Sequence, residues 1–477
     1  MKKILFAIMI IVICIYTFIP HQRVETKTKN YNVYVKEGNV YVKSNTNEMP
    51  KAGYILNASE SSCTGGATIS QDFNFREVSV TATKETKCNC YFDEYNPNIT
   101  EVMNDNRYNT SSVDVIDNGT IGTGNNACTN TLAYDGTTDN NLRYVGANPC
   151  NYVTFNGESP RAVTVYRIIY KENGFDDWGE AFNDVETCNS TYSSEYSWDT
   201  DNEYECQLRN DVVGGWRIVG VMNNVDDGTG NLETRIKLIR NDSLGNYSWD
   251  TSTSGVNGAT SNYGINDWTQ ADLKNELNGD YLNTNLSENT MWYNGQKNQK
   301  TGEYDYTKGL KASAQSLIGD AKWNLGGFAY NNANLIPSTM YIKERGTTVW
   351  GSTSGQTCND WACPRAITWT GKVALIYLSD YGFAVGENVR STCLNKKLSE
   401  YNSDSCYTND WIFNNSWQWA LSPNSYNSYN AFYVGNTGGV YNTGTLNDGP
   451  ARPAVYLKSN VSISGGNGTP ENPYVFS

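Results

Sequence analysis

Histidine is nearly missing from this 477-residue chain, His21 being the only one. The body of the protein therefore lacks the side chain most used as general base, as the middle of Ser and Cys triads, and as catalytic zinc ligand. No GxSxG elbow is present, and the only Gly-Lys pair, Gly371-Lys372, has no phosphate loop before it. Gly122-Thr123-Gly124-Asn125-Asn126-Ala127 matches a permissive dinucleotide fingerprint. No helical pattern follows it, and a Gly/Asn-rich stretch yields such matches by chance. A doubled CxxC of the zinc-site kind is absent too. So is a surplus of basic charge: the formal balance is −14, which excludes nucleic acid, whose phosphates demand a basic face. The acidity reads first as solubility. Calcium capture by clustered carboxylates and amides is the alternative, so no cofactor is predicted beyond that calcium option and the metal is unknown. Paired carboxylates of a glycosidase would need a framing motif that the 50 acidic residues do not show.

What is abundant points elsewhere. Aromatics reach 13%, with 34 Tyr and 13 Trp, too aromatic for disorder. Together with 42 Gly they favour short strands and many turns over long helices. Lys2 and Lys3 precede an uncharged run from Ile4 to Ile19. That run is long for a signal-peptide core, short for a membrane span, and followed by no small-x-small cleavage site. It predicts an exported chain at the cell surface, tethered by residues 1–29 as an uncleaved signal anchor or secreted after cleavage of a signal peptide. Cysteine usage agrees with export, because eleven cysteines beyond Cys14 fall in close sequence pairs. The expected disulfides are Cys63–Cys88, Cys128–Cys150, Cys188–Cys206, Cys358–Cys363 and Cys393–Cys406. Cys88 and Cys90 share one face of a strand and compete for one partner, which leaves one cysteine over, either buried and inert, the preferred reading, or linking two chains.

The expected fold class is α+β, predominantly β. Residues 30–47 read as a β-hairpin across Glu37-Gly38-Asn39, and 48–97 as a small β-sandwich module pinned by one disulfide. Residues 98–133, rich in Asn, Thr, Ser and Gly, read as a linker. The large domain spans 134–477, with 158–213 as an insertion. Its central strands are Trp216–Val221 and Arg235–Ile239, joined by an Asp226–Asn231 hairpin turn that only superficially suggests calcium. Further strands are expected over 372–377 and 454–457. A helix over 267–278 is expected to be capped by Asp267. Asn-Asp-Trp recurs at 266–268, 359–361 and 409–411, as a cap followed by a buried Trp.

One segment has the composition of a binding surface. Trp419, Asn424, Tyr426, Asn427, Tyr429, Asn430, Tyr433, Tyr441 and Asn442 fall within the 24 residues from 419 to 442. Tyr gives wide, rigid contact area and Asn adaptable hydrogen bonds, so these residues are the expected ligand contacts. The competing reading is that Asn makes turns and Tyr packs between strands.

The ordered segments Trp216-Arg217-Ile218-Val219-Gly220, 266–278, Trp369-Thr370-Gly371-Lys372-Val373, Ser379-Asp380-Tyr381-Gly382, Trp419-Ala420-Leu421-Ser422-Pro423, Arg452-Pro453-Ala454-Val455-Tyr456-Leu457 and Gly468-Thr469…Asn472-Pro473-Tyr474 resemble a family of uncharacterised bacterial surface proteins. The resemblance covers roughly 140–477. The Cys63…Cys88-Asn89-Cys90-Tyr91-Phe92 unit resembles a small module that precedes that domain. The domain itself resembles the C-type-lectin-like fold of formylglycine-generating enzymes and of diversified receptor-binding proteins. The resemblance implies a mixed twisted sheet with one or two helices and ligand-facing loops, and hence adhesion to a glycan or to a host or neighbour-cell protein. Two departures matter. Ala420-Leu421-Ser422-Pro423 stands where the family has Leu-Arg-Ser-Pro, and Glu-Pro-Asn or Trp-Asn-Asp sugar signatures are absent. Two alternatives come from other classes. One is a structural surface or pilus-like subunit; the other is an oxidase related to the formylglycine-generating enzymes, centred on Cys358 and Cys363. No catalytic residue is assigned.

Overall fold

The computed structural model of the chain describes residues 29–37, 40–44, 54–72, 77–82, 86–94, 115–122, 127–171, 182–195, 203–254, 262–283, 309–329, 335–346, 365–403, 405–414 and 416–477. The expected signal segment, the Cys358–Cys363 pair and the Asn-Asp-Trp copy at 359–361 lie outside them. The protein is α+β and predominantly β, in two compact units, Met1–Asn96 and Pro97–Ser477. Among the described residues no helix is long and apolar enough to cross a membrane.

In the first unit the strands are β1 (Lys29–Glu37), β2 (Val40–Lys43), β3 (Tyr54–Leu56), β4 (Ser62–Cys63), β5 (Thr68–Asp72), β6 (Glu77–Thr81) and β7 (Thr86–Glu94). The expected hairpin forms, with Val35 opposite Val42. It is not a separate element, however, because β1 also pairs in parallel with β7, Val33 lying opposite Cys90. The order is β2-β1-β7-β3, with β4 also on β7. The β5–β6 hairpin supplies the second layer. Val33, Val80, Cys88, Cys90 and Phe92 form the core, with Ala67 and Ile69 packed on it. Alternate residues of β7 point into this core, as the period of two requires. Cys88 is consequently bonded to Cys63 from the next strand, while Cys90 is a buried free thiol. Burial pushes that thiol up to about 11, which keeps it protonated.

The second unit contains β8 (Val115–Ile121), β9 (Cys128–Tyr134), β10 (Leu142–Tyr144), β11 (Tyr152–Val153), β12 (Arg161–Tyr170), β13 (Tyr204–Val213), β14 (Trp216–Asp226), β15 (Leu232–Arg240) and β16 (Asn246–Ser248). Then come β17 (Ala321–Asn324), β18 (Thr368–Gly371), β19 (Val373–Ala374), β20 (Gln418–Pro423), β21 (Asn430–Val434), β22 (Val440–Gly444), β23 (Asp448–Pro450) and β24 (Ala454–Tyr456). The main sheet has the order β19-β24-β15-β14-β10-β9-β8, with β11 also on β14. The two strands expected to be central are central. The span expected as a linker, 98–133, is corrected: β8 and most of β9 fall inside it and extend the sheet. β8 touches only β9 and has a register break after Asp117, so backbone pairing rather than apolar alternation places it. Cys128–Cys150 staples β9 to the chain leading into β11.

Within the expected insertion, the described residues form a long β12–β13 ribbon with helix α1 (Val185–Glu195), tied by Cys188–Cys206 around Ile168, Phe182 and Tyr204. The later helices are α2 (Asp272–Asn278), α3 (Asp280–Asn283), α4 (Ala312–Leu317), α5 (Pro337–Glu344), α6 (Leu378–Phe383) and α7 (Glu387–Cys393), with Cys393–Cys406 following. α2 begins five residues later than expected. Asp267 does not cap it; its carboxylate accepts from the Thr269 amide at 3.0 Å and stabilises a separate turn. The strand expected over 372–377 is only the two residues of β19. Asp226 and Asp227 do form the expected hairpin turn, accepting from Gly228 N at 2.9 Å and Thr229 N at 2.8 Å. Trp216, Trp249, Trp268, Trp323 and Trp419 are all fully buried, so tryptophan fills the volume that Leu and Ile fill elsewhere.

Candidate functional site: a tyrosine loop on a locked asparagine frame

The β20–β21 connection carries most of the expected contacts, and the structure separates them into two groups. Asn424, Asn427, Asn430 and Asn442 are a frame. Asn424 Oδ1 accepts from Tyr426 N at 2.8 Å, and Asn427 Oδ1 accepts from Tyr429 N at 3.1 Å and Asn430 N at 2.7 Å. These are Asx turns, in which a short amide replaces a backbone acceptor. Asn442, opposite on β22, accepts from Asn424 at 2.9 Å and Asn430 at 2.8 Å. Asn424 and Asn427 are buried. Their side chains are engaged in bonds within the protein, as the competing reading of Asn as a turn-former expects.

Asn266 holds the loop from outside. Its Nδ2 lies within hydrogen-bond distance of the carbonyls of Asn424 (3.0 Å), Asn427 (2.9 Å) and Asn430 (2.7 Å). Its backbone amide donates to Ser428 O at 2.8 Å. Arg365 donates to Asn266 Oδ1 and, at 3.1 Å, to Asn424 O. Burial pulls the Arg365 guanidinium down to about 9, the Asp267 carboxylate acting in the opposite direction. It remains a cation at neutral pH. From below, Ser425 N donates to Phe328 O at 2.8 Å, and the Phe328 ring stacks on Phe432 with centroids 4.3 Å apart. Each bond holds backbone that would otherwise be an adaptable loop.

The aromatic residues also divide. Trp419, Tyr433 and Tyr441 lie side by side in register across β20, β21 and β22. Trp417 meets both Trp419 (5.3 Å between centroids) and Tyr433 (5.1 Å), and Tyr433 is 5.9 Å from Tyr441. Trp419 is buried, its indole N–H donating to Tyr247 O at 2.8 Å. Tyr433 and Tyr441 are half-buried members of the same packed row. Tyr426, by contrast, is 56% exposed at the tip of the loop. Tyr429 is half-buried and rests against Tyr263, itself 59% exposed, with centroids 5.3 Å apart.

Sequence reasoning missed Tyr263, Asn266 and Arg365 as parts of this site. Asn266 stood in a noted motif, but its partners lie 158 to 164 residues away. Tyr263 sits in a Gly/Ser/Thr-rich stretch with no periodicity. Among the described residues no group of three or more His, Cys, Asp or Glu could hold a metal ion. Compared with protein-family models, curated proteins and solved structures, the chain finds no match.

Proposed function

We propose that this is an exported cell-surface protein that binds a ligand through Tyr263, Tyr426 and Tyr429, the ligand being a glycan or a protein of a host or neighbouring cell. One observation carries the reading: Tyr426 and Tyr429 stand on a loop whose backbone is tied down by Asn266, Asn427 and Arg365, and the exposed Tyr263 ring of a neighbouring segment rests against Tyr429. Large exposed aromatic groups are costly to leave in water without purpose, and rings held in place lose little entropy on binding.

The test is the triple variant Tyr263→Ala, Tyr426→Ala and Tyr429→Ala, applied to glycan and extracellular-matrix arrays with the oxidised chain. Expected is loss of any saturable binding of the parent by at least about 10-fold, since hot-spot aromatics are each worth roughly 2 kcal/mol or more. The melting temperature should hold. Unchanged affinity in the triple variant would refute the assignment. A parallel series in chelator checks for calcium.

A further inference from the structure

The most completely buried charges of the second unit belong to a cluster that shares no residue with the tyrosine loop. Lys237 of β15 is completely buried, and its Nζ lies 2.5 Å from Oδ2 of Asp380 on α6, itself 2% exposed. Three rings enclose the amine, with centroids of Tyr377, Trp323 and Tyr456 at 4.3, 5.1 and 5.2 Å. Arg143 of β10 donates to Asp380 Oδ1 at 2.7 Å and to Asp135 at 2.9 Å. The Tyr377 amide donates to Oδ2 at 2.9 Å. A fully desolvated Lys–Asp pair is poor value for stability if it stays ionic, because desolvation offsets the attraction.

We infer that Lys237 and Asp380 are the two halves of an intramolecular amide cross-link, formed autocatalytically between Nζ and Cγ with loss of water. The ion pair already contains the required atoms. One ammonium proton passes to Oδ2 across the short contact, and the freed nitrogen lone pair attacks Cγ. Oδ1 takes the negative charge, where the Arg143 donor waits. Collapse re-forms the Cγ–Oδ1 double bond and breaks the Cγ–Oδ2 bond. Oδ2 leaves as water with a second proton from nitrogen. Of three ammonium hydrogens, one remains on the amide nitrogen and two depart; nothing is oxidised or reduced.

Three features favour that course. Burial pulls the Lys237 amine down to about 8, which favours the neutral nucleophile, whereas Lys237 and Arg143 hold the Asp380 carboxyl down to about 2 against its own burial, so the proton transfer to Oδ2 is the uphill step. The partners are held together by the fold, which replaces a bimolecular encounter by a pre-oriented one. Condensation also removes two buried charges, and the dry aromatic enclosure withholds the water that would reverse it. The product would join residues 143 apart in sequence, tying the centre of the main sheet to α6. Independent of any ligand, this suits a surface protein under mechanical load.

Mass spectrometry of the purified full chain decides it. The expected intact mass lies one water below that of the sequence with its disulfides. A reduced tryptic digest should contain a branched peptide joining Lys237 to Asp380, with no cleavage after Lys237. Lys237→Arg should show the full mass and no branched peptide. A parent chain at full mass, cleaved after Lys237 and with a linear Asp380 peptide, would overturn the inference. So would a water loss confined to a cyclic imide at Asp380 without the branch.

Discussion

Asparagine does the opposite here of what its abundance suggests. In a binding loop its amide is expected to meet the ligand; in this one it holds the loop. Asn266 serves three carbonyls and accepts from Arg365, so it satisfies buried backbone that water cannot reach. Replacing it by Leu, of similar size, leaves those carbonyls short of a donor. At roughly 1–3 kcal/mol for an unsatisfied buried group, Asn266→Leu should cost about 3 kcal/mol in urea unfolding. Ligand affinity should fall with it, because the tyrosines would no longer be fixed. Asn442→Ala, on the neighbouring strand, touches only two side chains and should cost less. Gly264 shows the same rigidity in the backbone: its φ is +80°, and a Cβ there would stand 2.6 Å from Asp250 O. Only glycine turns the chain there without strain, and that turn follows directly on Tyr263.

At the scale of the element, strands were found where apolar alternation was strong and missed where pairing alone sustains them. β14 announces itself as a largely apolar run buried on both faces, and β15 by the alternation of Arg235 and Lys237 with Ile236 and Leu238. β8 reads Val-Ile-Asp-Asn-Gly-Thr-Ile, which resembles linker composition, and its ladder with β9 is what makes it a strand. β9 in turn buries Asn130, Leu132 and Ala133 between β8 and β10. A fragment starting at residue 134 should therefore expose the β10 edge, aggregate and lack a cooperative transition. A fragment starting at residue 97 should unfold cooperatively. Circular dichroism melts and size-exclusion profiles of the two separate the outcomes; equal behaviour would show that β8 and β9 are dispensable.

For the molecule as a whole, small cores are compensated by cross-links. The four described disulfides have sequence separations of 25, 22, 18 and 13, and one of them staples the first unit. Each loop closure is worth roughly 2–4 kcal/mol through the unfolded chain. Reduction should lower the unfolding midpoint of both units, by more than any single surface substitution. The buried thiol of Cys90 should react with a maleimide only after unfolding, since its protonated form is held in the core. Labelling in the native state at the rate of a model thiol would contradict that.

Composition and local pattern determined the class of protein. Cysteine pairs close in sequence made four disulfides readable, because short loops close at low entropic cost; Cys88 and Cys90 share one strand face, and the β4–β7 register, with Cys63 opposite Cys88, decides between them. A strand's period of two located β15, and an apolar run located β14. Only tertiary structure decided which polar residues of the 424–442 stretch point outward, and that Arg143, Lys237 and Asp380 meet. Both depend on partners more than a hundred residues away, and a side chain's environment is made by packing that no local pattern encodes.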